Sequence, residues 1–254
     1  MASDHDDEYG DLFQDPEGFY QGEKPFSFQT HTLKTGVELK LRLVGHNPLW
    51  GHILWNAGKV ISDYIENLPP NSFPGKYVLE FGAGAGLPSL VSSLYGAAQV
   101  VVTDYPDQEL IENLQYNIQN CCVQLDQHKI AAEGFLWGAS PEPLKAHLPR
   151  HDQSGFNILI LADLLFNHSE HGKLVQSVLD TMIHHQDSYA LVFFTPYRPW
   201  LLEKDLAFFD LAKQHGLAVE KLFEDVMDKA LFENDPGDEK LRRTVYAYKL
   251  RYST

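Results

Sequence analysis

Acidic residues close three apolar runs of the sequence: Glu80 in VLEF, Asp104 in VVVTD and Asp163 in ILILAD. The first is followed at once by Gly82, Ala83, Gly84, Ala85 and Gly86. Such a loop lets a ligand approach the main chain closely, because few side chains intervene and glycine tolerates φ > 0. A Walker phosphate loop needs a lysine followed by Ser or Thr after its last glycine, whereas Gly86 is followed by Leu87, Pro88 and Ser89. The dinucleotide fingerprint puts its third glycine three residues after the second, a place held here by Leu87, which weakens that reading. Glu80 adds a charge argument: a carboxylate at the loop suits a ligand with an ammonium group and repels a pyrophosphate. S-adenosylmethionine has these properties, with an amino-acid ammonium, a sulfonium, a ribose diol, an adenine and no phosphate. Asp104 lies about twenty residues past the glycines, where a second parallel strand brings an acid to a ribose. The plainer roles are a strand-to-helix turn for the glycines and a helix cap for either acid.

These groups must be held by alternating strands and helices. Residues 76–81 read as a strand ending near Glu80, followed by a helix whose first turn contains Pro88, where a missing N–H costs little. Residues 99–103 read as the next strand, with Asp107 capping a helix over 108–120. Residues 37–44 alternate like an exposed strand and 52–68 have helical apolar spacing. Further strands are expected at 129–137, 156–161 and 189–195, with helices near 170–184 and 203–215. Repeated β-α alternation implies a mostly parallel sheet. Residues 218–225 and 244–252 lack a convincing helix between them and predict an antiparallel pair. The fold class is therefore α/β, Rossmann-like, with a seven-stranded sheet, an antiparallel last strand and helices on both faces. Residues 1–35 read as an acidic, partly disordered extension and 36–254 as a single domain; the stretch 141–155 reads as a loop.

Composition narrows the partners. A formal charge of −15 opposes nucleic-acid binding, which needs a clustered basic surface. No apolar run reaches the roughly 18 residues of a membrane span, and the start MASDHDDEYG has no secretion signal. The adjacent Cys121 and Cys122 suit neither an ordinary disulfide nor a zinc site and favour a reducing compartment, so a cytoplasmic location is expected. His168 and His171 share a helical spacing, but no further ligands complete a metal site.

RLVGHNPLWGHILWNAGK at 42–59, VLEFGAGAGLPSL at 78–90, VVVTDYPD at 100–107, GFLWG at 134–138, ADLLFNHSEH at 162–171 and RPWLLEKDLAFFD at 198–210 together resemble one family. It is that of the fungal protein N-terminal and lysine methyltransferases acting on elongation factor 1-alpha, class I enzymes on a seven-stranded sheet. The resemblance implies that Gly82, Ala83 and Gly84 line the methionine and ribose of the cofactor, Asp104 the ribose hydroxyls, and Trp137 with Ala162 the adenine. It implies too that Trp55 closes over the cofactor, although Trp55 and Trp137 also suit ordinary core positions. Asp163-Leu164-Leu165-Phe166 is similar to the acid-x-x-aromatic motif that faces the acceptor amine in related protein methyltransferases. There Asp163 would orient the amine and Phe166 would wall off water; capping a helix is the simpler alternative for Asp163. The small-molecule alternative is an amine methyltransferase of the nicotinamide type, and a third is a catalytically silent binding module on the same fold.

The acceptor chemistry follows from proton affinity. Only a neutral amine offers its lone pair, and reaching it at pH 7 costs roughly 1 kcal/mol for an α-amine of pKa about 7.8 and roughly 4.6 kcal/mol for a lysine of pKa about 10.4. An N-terminal α-amine is therefore the easier acceptor, and the role of a carboxylate such as Asp163 is orientation or proton acceptance.

Overall fold

The computed structural model describes residues 25–45, 51–149 and 154–253. The acidic tail, the DPEGF stretch at 15–19 and Trp50 lie outside the described residues.

Two strands come first, β1 (Ser27–Thr32) and β2 (Glu38–Leu43), paired antiparallel as a hairpin. β1 is polar and lies within the stretch read as an extension, so its pairing with β2 was not visible in its own pattern. β2 alternates as expected, burying Leu39, Leu41 and Leu43. The helix α1 (Asn56–Asn67) follows.

The main sheet then begins with β3 (Tyr77–Phe81), α2 (Leu87–Leu94), β4 (Gln99–Asp104), α3 (Gln108–Asn120) and β5 (Ile130–Gly134). A single helical turn, α4 (Glu142–Lys145), interrupts the stretch read as a loop, anchored by buried Leu144. Next come β6 (Ile158–Ala162), α5 (His171–Thr181), β7 (Tyr189–Phe194), α6 (Leu202–Gln214), β8 (Leu217–Val226), the short α7 (Glu239–Arg242) and β9 (Thr244–Tyr252).

The seven strands run in the order β5-β4-β3-β6-β7-β9-β8. All pairings from β5 to β7 are parallel, while β9 enters between β7 and β8 and is antiparallel to both. β3 pairs with β4 on one side and β6 on the other, so the connections diverge there. That divergence opens a crevice at the carboxyl ends of the strands, the usual ligand position in such sheets.

Both faces are covered. Val78, Val100, Val102, Ile158, Ile160 and Phe193 pack with the α1–α3 residues. Leu79, Phe81, Leu159, Leu161, Val192 and Phe194 face Leu174, Val178 and Phe208 on the other side. Alternate residues of a strand point to opposite faces, which explains this division and the near-continuous apolar character of the strands. Asn117 of α3 links the hairpin to the glycine loop: its Oδ1 accepts from Arg42 N–H at 2.7 Å and its Nδ2 donates to Ala85 O at 3.0 Å.

Candidate active site

A cavity of about 430 Å³ opens at the carboxyl ends of β3, β4, β5 and β6, within the ~300–1,000 Å³ of ordinary small-molecule sites. Gly82, Gly84, Asp104, Trp137, Ala162, Asp163, Phe166 and Trp55 all border it. Eight residues singled out from the sequence thus converge from five segments of the chain.

The glycines are required by geometry. Gly82, Gly84 and Gly86 adopt φ of +55°, +57° and +77°, and a Cβ on Gly82 would stand 2.6 Å from Leu164 Cδ2. The loop is fixed from β4, since Ala83 N–H donates to Thr103 O at 2.9 Å and Gly84 N–H donates to Asp104 Oδ2 at 2.7 Å. Gly86 then caps α2, with Pro88 in its first turn. Asp104 also accepts from Tyr105 N–H at 2.7 Å. Burial raises its pKa despite these two bonds. A half-buried carboxylate at the cavity wall suits a ribose diol, which donates hydrogen bonds and carries no competing charge.

Glu80 and Ala83 do not border this cavity. They line an adjoining recess of about 20 Å³ with Gly58 and Pro88, which shares Trp55, Gly82 and Ala162 with the cavity. The reason is strand alternation: Glu80 shares the face of Val78, beneath α1 and α2. Its Oε2 accepts from Ser89 N–H at 2.9 Å and from Ser89 Oγ at 2.5 Å, at the start of α2. Burial pushes its pKa up to about 8, so it is largely protonated at pH 7. The recess is about the size of one water; Glu80 borders it while Asp104 borders the larger cavity.

At the end of β6, on the strand next to the glycine loop, stands Asp163, the one described non-glycine residue with positive φ, at 56°. A left-handed aspartate costs of order 1–3 kcal/mol and persists where its surroundings over-determine it. Here the carboxyl accepts from Thr195 N–H at 2.7 Å on Oδ1, and from Ala57 N–H at 2.9 Å and Tyr197 Oη at 3.2 Å on Oδ2. Ala57 belongs to the first turn of α1, so Asp163 does satisfy a helix N-terminus, although the helix precedes it by 106 positions. The Thr195 side chain also acts on the carboxyl and, like these donors, favours its ionised form. Burial pushes the pKa up to about 7 against the opposing effect of those donors.

Phe166 borders the cavity and is 45% exposed. Its loop is fastened by Arg198, which donates from Nη2 to Phe166 O at 2.9 Å, and by the His171 ring, which lies 2.8 Å from Leu165 O. His168 lies 2.6 Å from Asp205 Oδ1 in α6. The two histidines thus brace the loop from α5 and α6. Among the described residues the one group with metal-ligand spacing is His31, Asp63 and Glu66, remote from the cavity lining.

Tyr105, Leu136, Glu170 and Lys173 also border the cavity, and Tyr197 and Phe232 stand behind Trp55. Tyr105 follows the strand-end Asp104 directly, a signal that the sequence did carry. Nothing near Phe232 in the sequence announced its place.

Residues 34–215 match the sequence pattern described as lysine methyltransferase. The chain belongs to this family. It is 48% identical to the protein N-terminal and lysine N-methyltransferase efm7 of Emericella nidulans, covering 99% of this chain and 98% of the relative. It is 42% identical to the Schizosaccharomyces pombe protein of the same name, over 98% of this chain and 97% of that one. The Thermus thermophilus 16S rRNA N2 G1207 methyltransferase, solved with AdoMet and guanosine, shares the fold with a TM-score of 0.51 at 15% identity, over 91% of this chain and 51% of that one. The cofactor of this methyltransferase is S-adenosylmethionine, and the glycine cradle and Asp104 fit it. No helix among the described residues is long and apolar enough to cross a membrane.

Proposed function

We propose that this methyltransferase acts on the N-terminal glycine α-amine and the adjacent lysine of elongation factor 1-alpha, in the cytoplasm. The observation that carries the reading is the single cavity joining Gly82, Gly84 and Asp104 to Asp163 and Phe166. The near-full-length relatives named protein N-terminal and lysine N-methyltransferases support the acceptor class. The net charge of −15 suits a basic protein segment and opposes an RNA acceptor.

When bound, S-adenosylmethionine supplies an electrophilic methyl group, which passes to the amine nitrogen as the carbon–sulfur bond breaks. Asp104 and the glycine loop fix the cofactor's ribose and methionine parts, and Trp137 with Ala162 line the adenine. Trp55 closes the cavity, and Ala83 shapes the loop from the recess side. The protein's contribution is positioning: a neutral amine must point its lone pair at the methyl carbon. Asp163, at the cavity wall, orients the amine through its carboxyl. With a pKa near 7 it is also matched to taking the amine's proton at neutral pH. Phe166 covers the open side and keeps water from the nitrogen. Glu80 acts from beneath the loop by holding the start of α2.

The test uses methyl-labelled cofactor and a peptide with the processed N-terminus of elongation factor 1-alpha, read by mass spectrometry. Label on the α-nitrogen and the neighbouring lysine is expected, with the α-nitrogen label lost after N-terminal acetylation. Label confined to free nicotinamide would establish a small-molecule enzyme, and no label on peptide or lysate would establish a silent binding module.

A further inference from the structure

The Asp163 carboxyl is held by the main-chain N–H groups of Ala57 and Thr195 and by the side chains of Tyr197 and Thr195, of which Tyr197 carries the ring. Its ring lies 5.1 Å from Trp55 and 5.6 Å from Phe232, and Trp55 lies 6.0 Å from Phe232. The triangle draws on the residue before α1, the segment after β7 and the loop between β8 and β9. That last loop is strapped in place: Arg242 Nη1 donates to Phe232 O at 2.5 Å, and Arg243 Nη1 donates to Met227 O at 3.2 Å and to Asp228 O at 3.1 Å. Phe232 also lies beyond residues 34–215, the part that matches the family pattern.

We propose that Tyr197 is a positioning residue for methyl transfer: its hydroxyl orients the Asp163 carboxyl while its ring, backed by Phe232, fixes Trp55 at the cavity wall. This rests on the reading that Asp163 receives the acceptor amine. One residue thereby couples the carboxyl that meets the amine to the indole that bounds the chamber. Burial holds the phenol well above its ordinary pKa, so it remains a donor throughout the working range. Tyr197 is the titratable side chain that meets Asp163 from the β7 side, and α1 presents the Ala57 N–H with the positive end of its dipole. A donor to the ionised carboxylate lowers its pKa; losing that donor raises it. A tyrosine serving the core alone would show no such link to the reaction.

The test compares wild type, Tyr197→Phe, Phe232→Ala and Asp163→Asn on one peptide, so that the acceptor's own titration cancels. Tyr197→Phe is expected to keep its unfolding midpoint and its S-adenosylmethionine Kd within about twofold, while kcat falls roughly tenfold, the scale of one lost hydrogen bond. The acid limb of its kcat–pH profile should move to higher pH. Phe232→Ala, which loosens the ring from behind, should move both readouts in the same direction and decides the matter if Tyr197→Phe does not fold. A folded Tyr197→Phe with wild-type kcat and an unmoved acid limb would overturn the proposal while leaving the acceptor site intact, provided Asp163→Asn is slow. Full turnover in Asp163→Asn would instead remove the acceptor reading itself, and the positioning role with it.

Discussion

One part of the cavity wall is the glycine loop, Gly82 and Gly84, with the Asp104 that Gly84 N–H meets; another brings together Asp163, Phe166 and Trp55, backed by rings from distant segments. Asp104 is 20 positions from the Gly84 it binds, whereas Asp163 is 106 from Ala57 and 34 from Tyr197. The part of the wall proposed to hold the cofactor is thus one local βαβ device built by neighbouring strands. The part proposed to meet the acceptor draws on segments from α1 to the loop between β8 and β9. A generic cofactor can be met by a local, reusable loop. A particular acceptor is met by side chains whose spacing is set by tertiary packing.

The strongest way to break this contrast is at the cradle. Gly82→Val adds a branched side chain at φ +55° and 2.6 Å from Leu164 Cδ2. Strain and overpacking together should cost about 3 kcal/mol or more, and cofactor binding should be lost in calorimetry. Retained binding in a folded variant would show that the loop does not touch the cofactor.

The two acids should then separate the ends. On the proposal that its carboxyl acts on the amine, Asp163→Asn should lower kcat about 100-fold with cofactor affinity nearly unchanged. Asp104→Ala should weaken S-adenosylmethionine about 10- to 100-fold, the range expected for losing a carboxylate's hydrogen bonds, with turnover recovering at saturating cofactor. Reversed phenotypes would exchange the assignments of the two ends.

This asymmetry also explains what the sequence made legible. The strands β3, β4, β6, β7 and β9 lie close to their expected spans because each is a buried, β-branched or aromatic run between turn residues. Asp107 caps α3 as expected, accepting from Glu109 and Leu110 N–H. β1 escaped notice because SFQTHT is exposed along nearly its whole length and has no apolar alternation. Asp104 followed from spacing alone. A motif singles out Asp163 and Phe166, which both border the cavity, but not the partners that fix the carboxyl, since no local pattern links residues 57, 163 and 197. Glu80 was the opposite case: its strand position was plain, yet the face it points to depends on where the strand ends, and it turns towards α2.

Glu80 and Asp163 give the contrast a pH signature. Burial raises Glu80 from 4.5 to about 8 and Asp163 from 3.8 to about 7. A raised carboxyl means that the folded state keeps a proton the unfolded state has released, so stability falls as pH rises through each window and levels off above it. In Glu80→Gln that slope should shrink between pH 4.5 and about 8, and the variant should gain on wild type progressively towards alkaline pH. Denaturant unfolding at several pH values reads this directly. An identical slope in both proteins would mean that Glu80 is ionised throughout.

The smallest effect on stability, and the sharpest on the comparison, is expected at Phe166. Its side chain is 45% exposed and the loop beneath it is held through main-chain carbonyls, Phe166 O by Arg198 and Leu165 O by His171. Phe166→Ala removes the ring without touching those contacts, so stability should change by no more than about 0.5 kcal/mol. If the ring walls the acceptor end, the peptide KM should rise and kcat fall as water gains access to the nitrogen, while the cofactor Kd stays put. A weakened cofactor Kd with unchanged peptide KM would place Phe166 over the adenosine instead, and the boundary between the two ends would have to move towards β5.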